Sequence, residues 1–126
     1  MLKNRKPRID DAGLVRLMFP AEIAIETHAH CNFACIICPY SVLQRPKGRM
    51  QPELFHKIVN EVAQESPKTR LWLAIMGEPL MDKRIVSFLQ YARDHGAQRV
   101  HLNTNGTLLE GQLAKDILGS GVESIY

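Results

Sequence analysis

Outside one eight-residue stretch the chain contains no cysteine, so its three thiols are neither scattered core filler nor a disulfide framework. An odd count cannot pair off completely, and no apolar secretory leader opens the sequence, so a reducing cytoplasm is the expected setting. No hydrophobic run is long enough to cross a bilayer, and no membrane partner is expected. Internal repeats and low-complexity tracts are also absent, which excludes solenoids and biased disordered segments. Four of the sixteen basic residues, Lys3, Arg5, Lys6 and Arg8, sit at the start, and the remainder carries twelve basic against thirteen acidic residues. No basic face interleaved with aromatics follows that tip, which reads as a solvated terminus, so a nucleic-acid partner is not expected.

What is present is one domain's worth of chain, 126 residues of which 45% are hydrophobic, and one concentrated chemical feature. Cys31, Cys35 and Cys38 lie in Cys31-Asn32-Phe33-Ala34-Cys35-Ile36-Ile37-Cys38, and thiolates in a reducing environment bind soft metals. Spacing alone leaves two readings open. A structural zinc needs a fourth ligand, which His28 or His30 is near enough in sequence to supply. An iron-sulfur cube held by three thiolates leaves one iron without a protein ligand and free to bind a small molecule.

Along the chain, residues 1–20 read as an N-terminal extension in which Leu14, Val15, Leu17, Met18 and Phe19 form a short amphipathic turn stopped by Pro20. Residues 21–27 form a first strand running into the cysteine loop. The segment from Pro39 to Gln51, with Pro46 and Gly48, is a polar loop carrying Arg45, Lys47 and Arg49. Pro52 starts a helix whose apolar stripe is Leu54, Phe55, Ile58, Val59, Val62 and Ala63. The unbroken apolar run from Leu71 to Met76 suits a strand buried on both faces, and Gly77-Glu78-Pro79 ends it. A second helix over Ile85 to Ala92 is terminated near Gly96, and a third strand over Arg99 to Leu102 stops at Asn103-Thr104-Asn105-Gly106. Leu113, Ala114, Ile117 and Leu118 mark a third helix, and Val122 to Tyr126 begins a fourth strand.

Three strand-helix alternations with short connections predict an α/β fold with a parallel sheet. Because closed barrels need about 200 residues or more, the expectation is a partial (β/α) TIM-like barrel, residues 21–126 being the amino-terminal part of a larger core. Parallel α/β folds bind ligands at the carboxyl ends of their strands. Each unusual motif falls at such an end: the cysteines after strand one, the glycine-carboxylate turn after strand two, the amide-rich turn after strand three. A structural zinc gives no reason for that coincidence, whereas a catalytic cluster with an organic ligand does.

Together these residues resemble the radical S-adenosylmethionine enzymes: Cys31, Cys35 and Cys38 in a CxxxCxxC pattern, then Met76-Gly77-Glu78-Pro79, then Asn103-Thr104-Asn105-Gly106. Arg45-Pro46-Lys47-Gly48-Arg49-Met50 further resembles the members that carry auxiliary clusters in a SPASM or twitch domain. The resemblance implies that the three thiolates hold a [4Fe-4S] cluster whose fourth iron is chelated by S-adenosylmethionine. It implies reductive cleavage of that cofactor to a 5′-deoxyadenosyl radical, which abstracts hydrogen from a substrate the sequence does not identify. A low-potential electron donor is then a required partner. Gly77 is expected to lie against the methionine amino group, with Glu78 either accepting from that ammonium or orienting the turn.

Ile37 stands where the family commonly has an aromatic residue beside the adenine, and is expected to give apolar contact without stacking. Met76 replaces a usual glycine, and Leu73 replaces an arginine that binds substrate in the molybdopterin-precursor members, which counts against that substrate. Asn103, Thr104 and Asn105 either contact the cofactor or substrate or simply form the turn. His28 and His30 line the site or order the loop. Trp72, Met76 and Phe88 are expected in the core, while His56, His95 and His101 fit solvated or core positions. Two rivals remain: a non-catalytic Cys/His zinc module, and a member of the family that is catalytically incomplete because later strands are missing.

Overall fold

In a computed structural model, the protein is described over residues 8–9, 15–16, 19–73 and 75–126. β1 (Arg8–Ile9) and β2 (Val15–Arg16) pair antiparallel, with Ile9 opposite Val15. The amphipathic turn expected over 14–19 therefore does not form at Val15 and Arg16, which are extended, as suits a β-branched residue with a strand to pair with. Leu14, Leu17 and Met18 lie outside the described residues, as do Lys3, Arg5 and Lys6 of the basic tip.

The body is a parallel sheet of β3 (Glu22–Ile25), β4 (Arg70–Leu73), β5 (Arg99–Leu102) and β6 (Ser124–Ile125), laid side by side in chain order. Its register sets Ile25 beside Leu73 and Leu73 beside Leu102, and one row lower Ile23 beside Leu71 and Leu71 beside Val100. These apolar rows meet the helices α1 (Pro52–Glu65), α2 (Ile85–Asp94) and α3 (Gly111–Gly119). The core joins Phe55, Val59 and Val62 of α1 to Ile85, Phe88, Leu89 and Ala92 of α2 and Ile117 of α3. Phe55 and Phe88 stack with ring centroids 4.3 Å apart, so the two longest helices meet through aromatic faces. Burying one such side chain contributes about 1.5–3 kcal/mol, which is why the sheet-helix interface rather than helix propensity holds these short elements.

Local chemistry sets the boundaries. Pro52 occupies the first turn of α1, where its missing N–H costs nothing, and Glu53 beside it complements the helix dipole. α2 ends in a Schellman motif: Gly96 takes φ +94°, its N–H donates to Arg93 O (3.2 Å), and Ala97 N–H donates to Ala92 O (3.0 Å). β4 is shorter than its apolar run suggests, ending at Leu73, with Ile75 to Gly77 in a bend.

The opposite face of the sheet carries a row of Ala24, Trp72, His101 and Ser124 in register. Trp72 is therefore not part of the helix-side core, as strand alternation requires once Leu71 and Leu73 face the helices. It stacks on His101 at 4.5 Å, with Tyr126 at 5.4 Å from it. His101 Nδ1 lies 2.5 Å from Ser124 Oγ. His56 and His95 sandwich Tyr91, at 3.8 and 3.7 Å. Among the described residues no helix is long and apolar enough to cross a membrane.

Candidate functional site

The loops after β3, β4 and β5 converge at one end of the sheet, and a single buried carboxylate ties two of them together. Glu78, 2% exposed, follows the bend after β4 and caps the 3₁₀ turn Pro79–Met81 by accepting from Leu80 N–H at 3.0 Å. The same Oε1 accepts from Thr104 Oγ1 at 2.5 Å, and Oε2 accepts from Asn105 N–H at 2.7 Å. A carboxylate offers about four acceptor sites, so three are taken by the chain itself. Glu78 thus orients the turn, one of the two roles its sequence context allowed.

The turn is fastened to the strand-one side by backbone. Glu78 N–H donates to His30 O at 2.8 Å, and His28 Nε2 donates to Glu78 O at 2.8 Å. His30 N–H meets His28 Nδ1 at 3.3 Å, which fixes the Nε2–H tautomer of the buried His28. Both ring nitrogens of His28 are therefore used, and it orders the loop rather than serving as a fourth metal ligand. Gly77 packs so closely that a Cβ there would lie 2.1 Å from His28 O and 3.0 Å from His30 O. Glycine is required at this position by the approach of two backbones, whatever else binds there.

Thr27–Ala29 and Gly48–Met50 form a short antiparallel ribbon, through Ala29 N–H to Gly48 O (2.9 Å), Met50 N–H to Thr27 O (2.8 Å) and the His28–Arg49 bridge. The cysteines hang from this stem as a closed loop. Arg84 clasps the stem from α2's side, donating to Met50 O at 2.9 Å and Thr27 O at 3.3 Å while held by the buried Asp82 at 2.8 Å through two nitrogens. Burial pushes the Asp82 carboxyl up, but the Arg84 bonds outweigh it and hold the group below its ordinary value. Arg45, on the same loop, donates to Glu26 (2.6 Å), whose carboxylate also accepts from Met76 N–H at 3.2 Å. Neither Arg84 nor Asp82 stood out in the sequence, because a clasp spanning 57 residues has no local pattern.

Cys31 and Cys38 are half-buried and Cys35 is exposed, and all three are free thiols. Cys31 N–H donates to Tyr40 Oη at 2.9 Å, and the Lys47 ammonium, 4.0 Å from the Tyr40 ring centroid, draws that phenol below its ordinary pKa. Phe33 N–H points at Cys31 Sγ, 3.4 Å away. Ile37 is 96% exposed. Asn103 is exposed, whereas Thr104 and Asn105 are drawn into the rim network. Among the described residues no three His, Cys, Asp or Glu side chains stand close enough to hold a metal ion. The donor set of three unbridged thiols without carboxylate or imidazole nevertheless fits a soft, thiophilic group, which would have to draw the sulfurs together.

With this geometry in place, comparison with known proteins is decisive at the level of family. The model of the radical SAM superfamily matches residues 25–126, and the chain belongs to that superfamily. It is 32% identical over 107 residues to the AdoMet-dependent heme synthase of Methanosarcina barkeri, covering 84% of this chain and 30% of that protein. It is 26% identical over 102 residues to the tungsten-containing aldehyde ferredoxin oxidoreductase cofactor-modifying protein of Pyrococcus furiosus, covering 81% and 28%. The 2-deoxy-scyllo-inosamine dehydrogenase of Niallia circulans, S-adenosyl-L-methionine-dependent by name, is 26% identical over 103 residues, covering 80% and 41%. Among solved structures, BtrN in complex with AdoMet and 2-DOIA superimposes with a TM-score of 0.77 at 25% identity, covering 87% of this chain and 45% of that one. The parallel α/β sheet is thus that of a partial TIM-like barrel, and the chain spans less than half the length of these relatives.

Proposed function

We propose that Cys31, Cys35 and Cys38 hold a [4Fe-4S] cluster and that the rim around Gly77 binds S-adenosylmethionine, the chain forming the cofactor-binding part of a radical enzyme. A cluster held by Cys31, Cys35 and Cys38 would supply the one-electron reduction that cleaves S-adenosylmethionine to methionine and a 5′-deoxyadenosyl radical able to abstract hydrogen from a substrate. The observation that carries this reading is the convergence of three strand-end loops at Glu78, whose buried carboxylate ties the loop after β4 to that after β5 and whose backbone bonds His28 and His30 of the loop after β3. A zinc staple needs no such rim, and His28, one of the two histidines near enough in sequence to complete it, has both ring nitrogens engaged.

The chain's own residues then have distinct work. The cysteine loop presents soft donors on a ribbon stem braced by Arg84 and Asp82. Gly77 brings backbone to the rim with no side chain in the way, exposed Asn103 offers its amide to the amino-acid end of the cofactor, and Ile37 offers apolar cover to the adenine. Glu78, Thr104 and Asn105 hold those groups in register. A low-potential reductant delivers the electron in a reducing compartment. The three relatives' names describe different chemistries, which supports a rim that serves the cofactor rather than selecting a substrate.

Electron paramagnetic resonance tests the reading on protein reconstituted anaerobically with iron and sulfide, reduced, with and without S-adenosylmethionine. A cube signal that changes on adding the cofactor supports it. A cube indifferent to the cofactor assigns cofactor binding to the remainder of the barrel, and zinc binding without a cube overturns it.

A further inference from the structure

We propose that Asn32, Asn105 and Thr107 are positioning residues that fix Cys31 as the preset corner of the cysteine loop; the inference rests on the reading that the three thiols bind one group. Asn32 follows Cys31 directly, and its amide closes a triangle with two residues of the loop after β5. Asn105 Nδ2 donates to Asn32 Oδ1 at 2.8 Å, and Asn32 Nδ2 donates to Thr107 Oγ1 at 2.9 Å. Thr107 Oγ1 donates in turn to Asn105 Oδ1 at 2.7 Å, the oxygen that also accepts from Thr107 N–H at 3.0 Å. Only one orientation of each amide satisfies these bonds, since turning either would set nitrogen against nitrogen.

The triangle is not free-standing. Asn105 N–H is held by the buried Glu78 carboxylate, so Asn32 is tied through one residue to the most tightly bonded group of the rim. On its other side Cys31 N–H is held by Tyr40. Cys31 is thus fixed fore and aft, across 73 residues of sequence in one direction and nine in the other. Cys35 and Cys38 differ: among the described residues their segment is joined by the turn bond from Cys38 N–H to Cys35 O, and Ile36 and Ile37 on it are fully open. Cys31 is held on both sides before binding while the Cys35–Cys38 segment is joined by its own turn bond, so the triangle sets where the bound group sits relative to Gly77 and Asn103.

The test is alkylation of the metal-free 126-residue chain by limiting iodoacetamide, with the rate at each cysteine read by mass spectrometry. Asn32→Ala should raise the Cys31 rate about fivefold, the factor expected for losing a hydrogen-bonded link of ordinary strength, and Thr107→Val, which keeps the Asn105–Asn32 bond, should raise it by less, with Cys38 unchanged in both. The double variant should match Asn32→Ala, since that change already removes both bonds from Asn32, whereas Thr107→Val leaves Asn105 Nδ2 on Asn32 Oδ1. Thr107→Ser, which keeps the hydroxyl, should restore the wild-type rate. An unchanged Cys31 rate, or a rise at all three cysteines together, overturns the proposal, and a thermal melt on each variant separates loop release from unfolding. Because the alkylation is read without metal, its failure is distinct from a failure to load iron and sulfide.

Discussion

Glu78 Oε1 and Thr104 Oγ1 lie 2.5 Å apart across 26 residues of sequence, joining the loop after β4 to the loop after β5 through a carboxylate with almost no solvent exposure. A buried carboxylate is tolerated only when its lone pairs are met, and here Leu80 N–H, Thr104 Oγ1 and Asn105 N–H meet them. Glu78→Ala leaves those three donors without their acceptor. The expected loss is about 3 kcal/mol of unfolding free energy by urea titration, with Glu78→Gln intermediate because one acceptor oxygen survives. A loss under about 1 kcal/mol for the alanine variant would show that the carboxylate does not hold the rim.

Gly77→Ala tests the close approach of the two loops. The added carbon would meet His28 O at 2.1 Å, and since both partners are backbone, neither can swing aside. We expect about 3 kcal/mol of destabilisation and weakened S-adenosylmethionine binding together. Full stability in a calorimetric melt would mean that the turn relaxes and that the glycine is not demanded by packing.

The strands and helices were legible because each has a local cause. Pro52 and the 3.6-residue stripe give α1 its observed start, Gly96 ends α2 by its positive φ, and Arg99–Leu102 is β5 as the alternation predicts. The positions of the three motifs at strand ends followed from that alternation. Illegible were the partners of those motifs. Arg84 reaches Thr27 over 57 residues, His28 reaches Glu78 over 50, and Asn105 reaches Asn32 over 73. Such bonds depend on register between strands, which periodicity does not encode. The same limit explains why Glu78 reads from sequence as a cofactor contact or a turn residue, while its geometry shows three bonds to its own chain.

Two titrations predict how stability varies with pH. Burial pushes the His101 imidazole below its ordinary 6.5, opposed by the Glu123 carboxylate and aided by Arg99 and Arg70. A histidine kept neutral in the fold contributes stability fully present above its unfolded value and lost as pH falls through about 6.5 toward its folded value. Asp82, held below 3.8 by Arg84 against burial, contributes stability present above that value and lost as pH falls below it. Urea unfolding across pH 8 to pH 3 should therefore show two descents. His101→Gln should flatten the upper one and Asp82→Asn the lower one, with Asp82→Asn also less stable at neutral pH because Arg84 loses its charged partner. A His101→Gln profile that still falls between about pH 7 and 5 would assign that descent to another group.

Cys35→Ser isolates the chemistry of the loop from its fold. Cys35 is exposed, and the bond it makes in the loop is through its backbone carbonyl, which serine keeps. Unfolding free energy should therefore change by no more than about 0.5 kcal/mol. Iron and acid-labile sulfide should nevertheless fall to background after anaerobic reconstitution, because a cube left with two thiolates has two irons without a protein ligand. Full iron and sulfide content in this variant would refute the assignment of the three cysteines as a set. Retained zinc binding, with iron absent in both wild type and variant, would move the loop to a structural metal site and leave the superfamily's chemistry without its cluster in this chain.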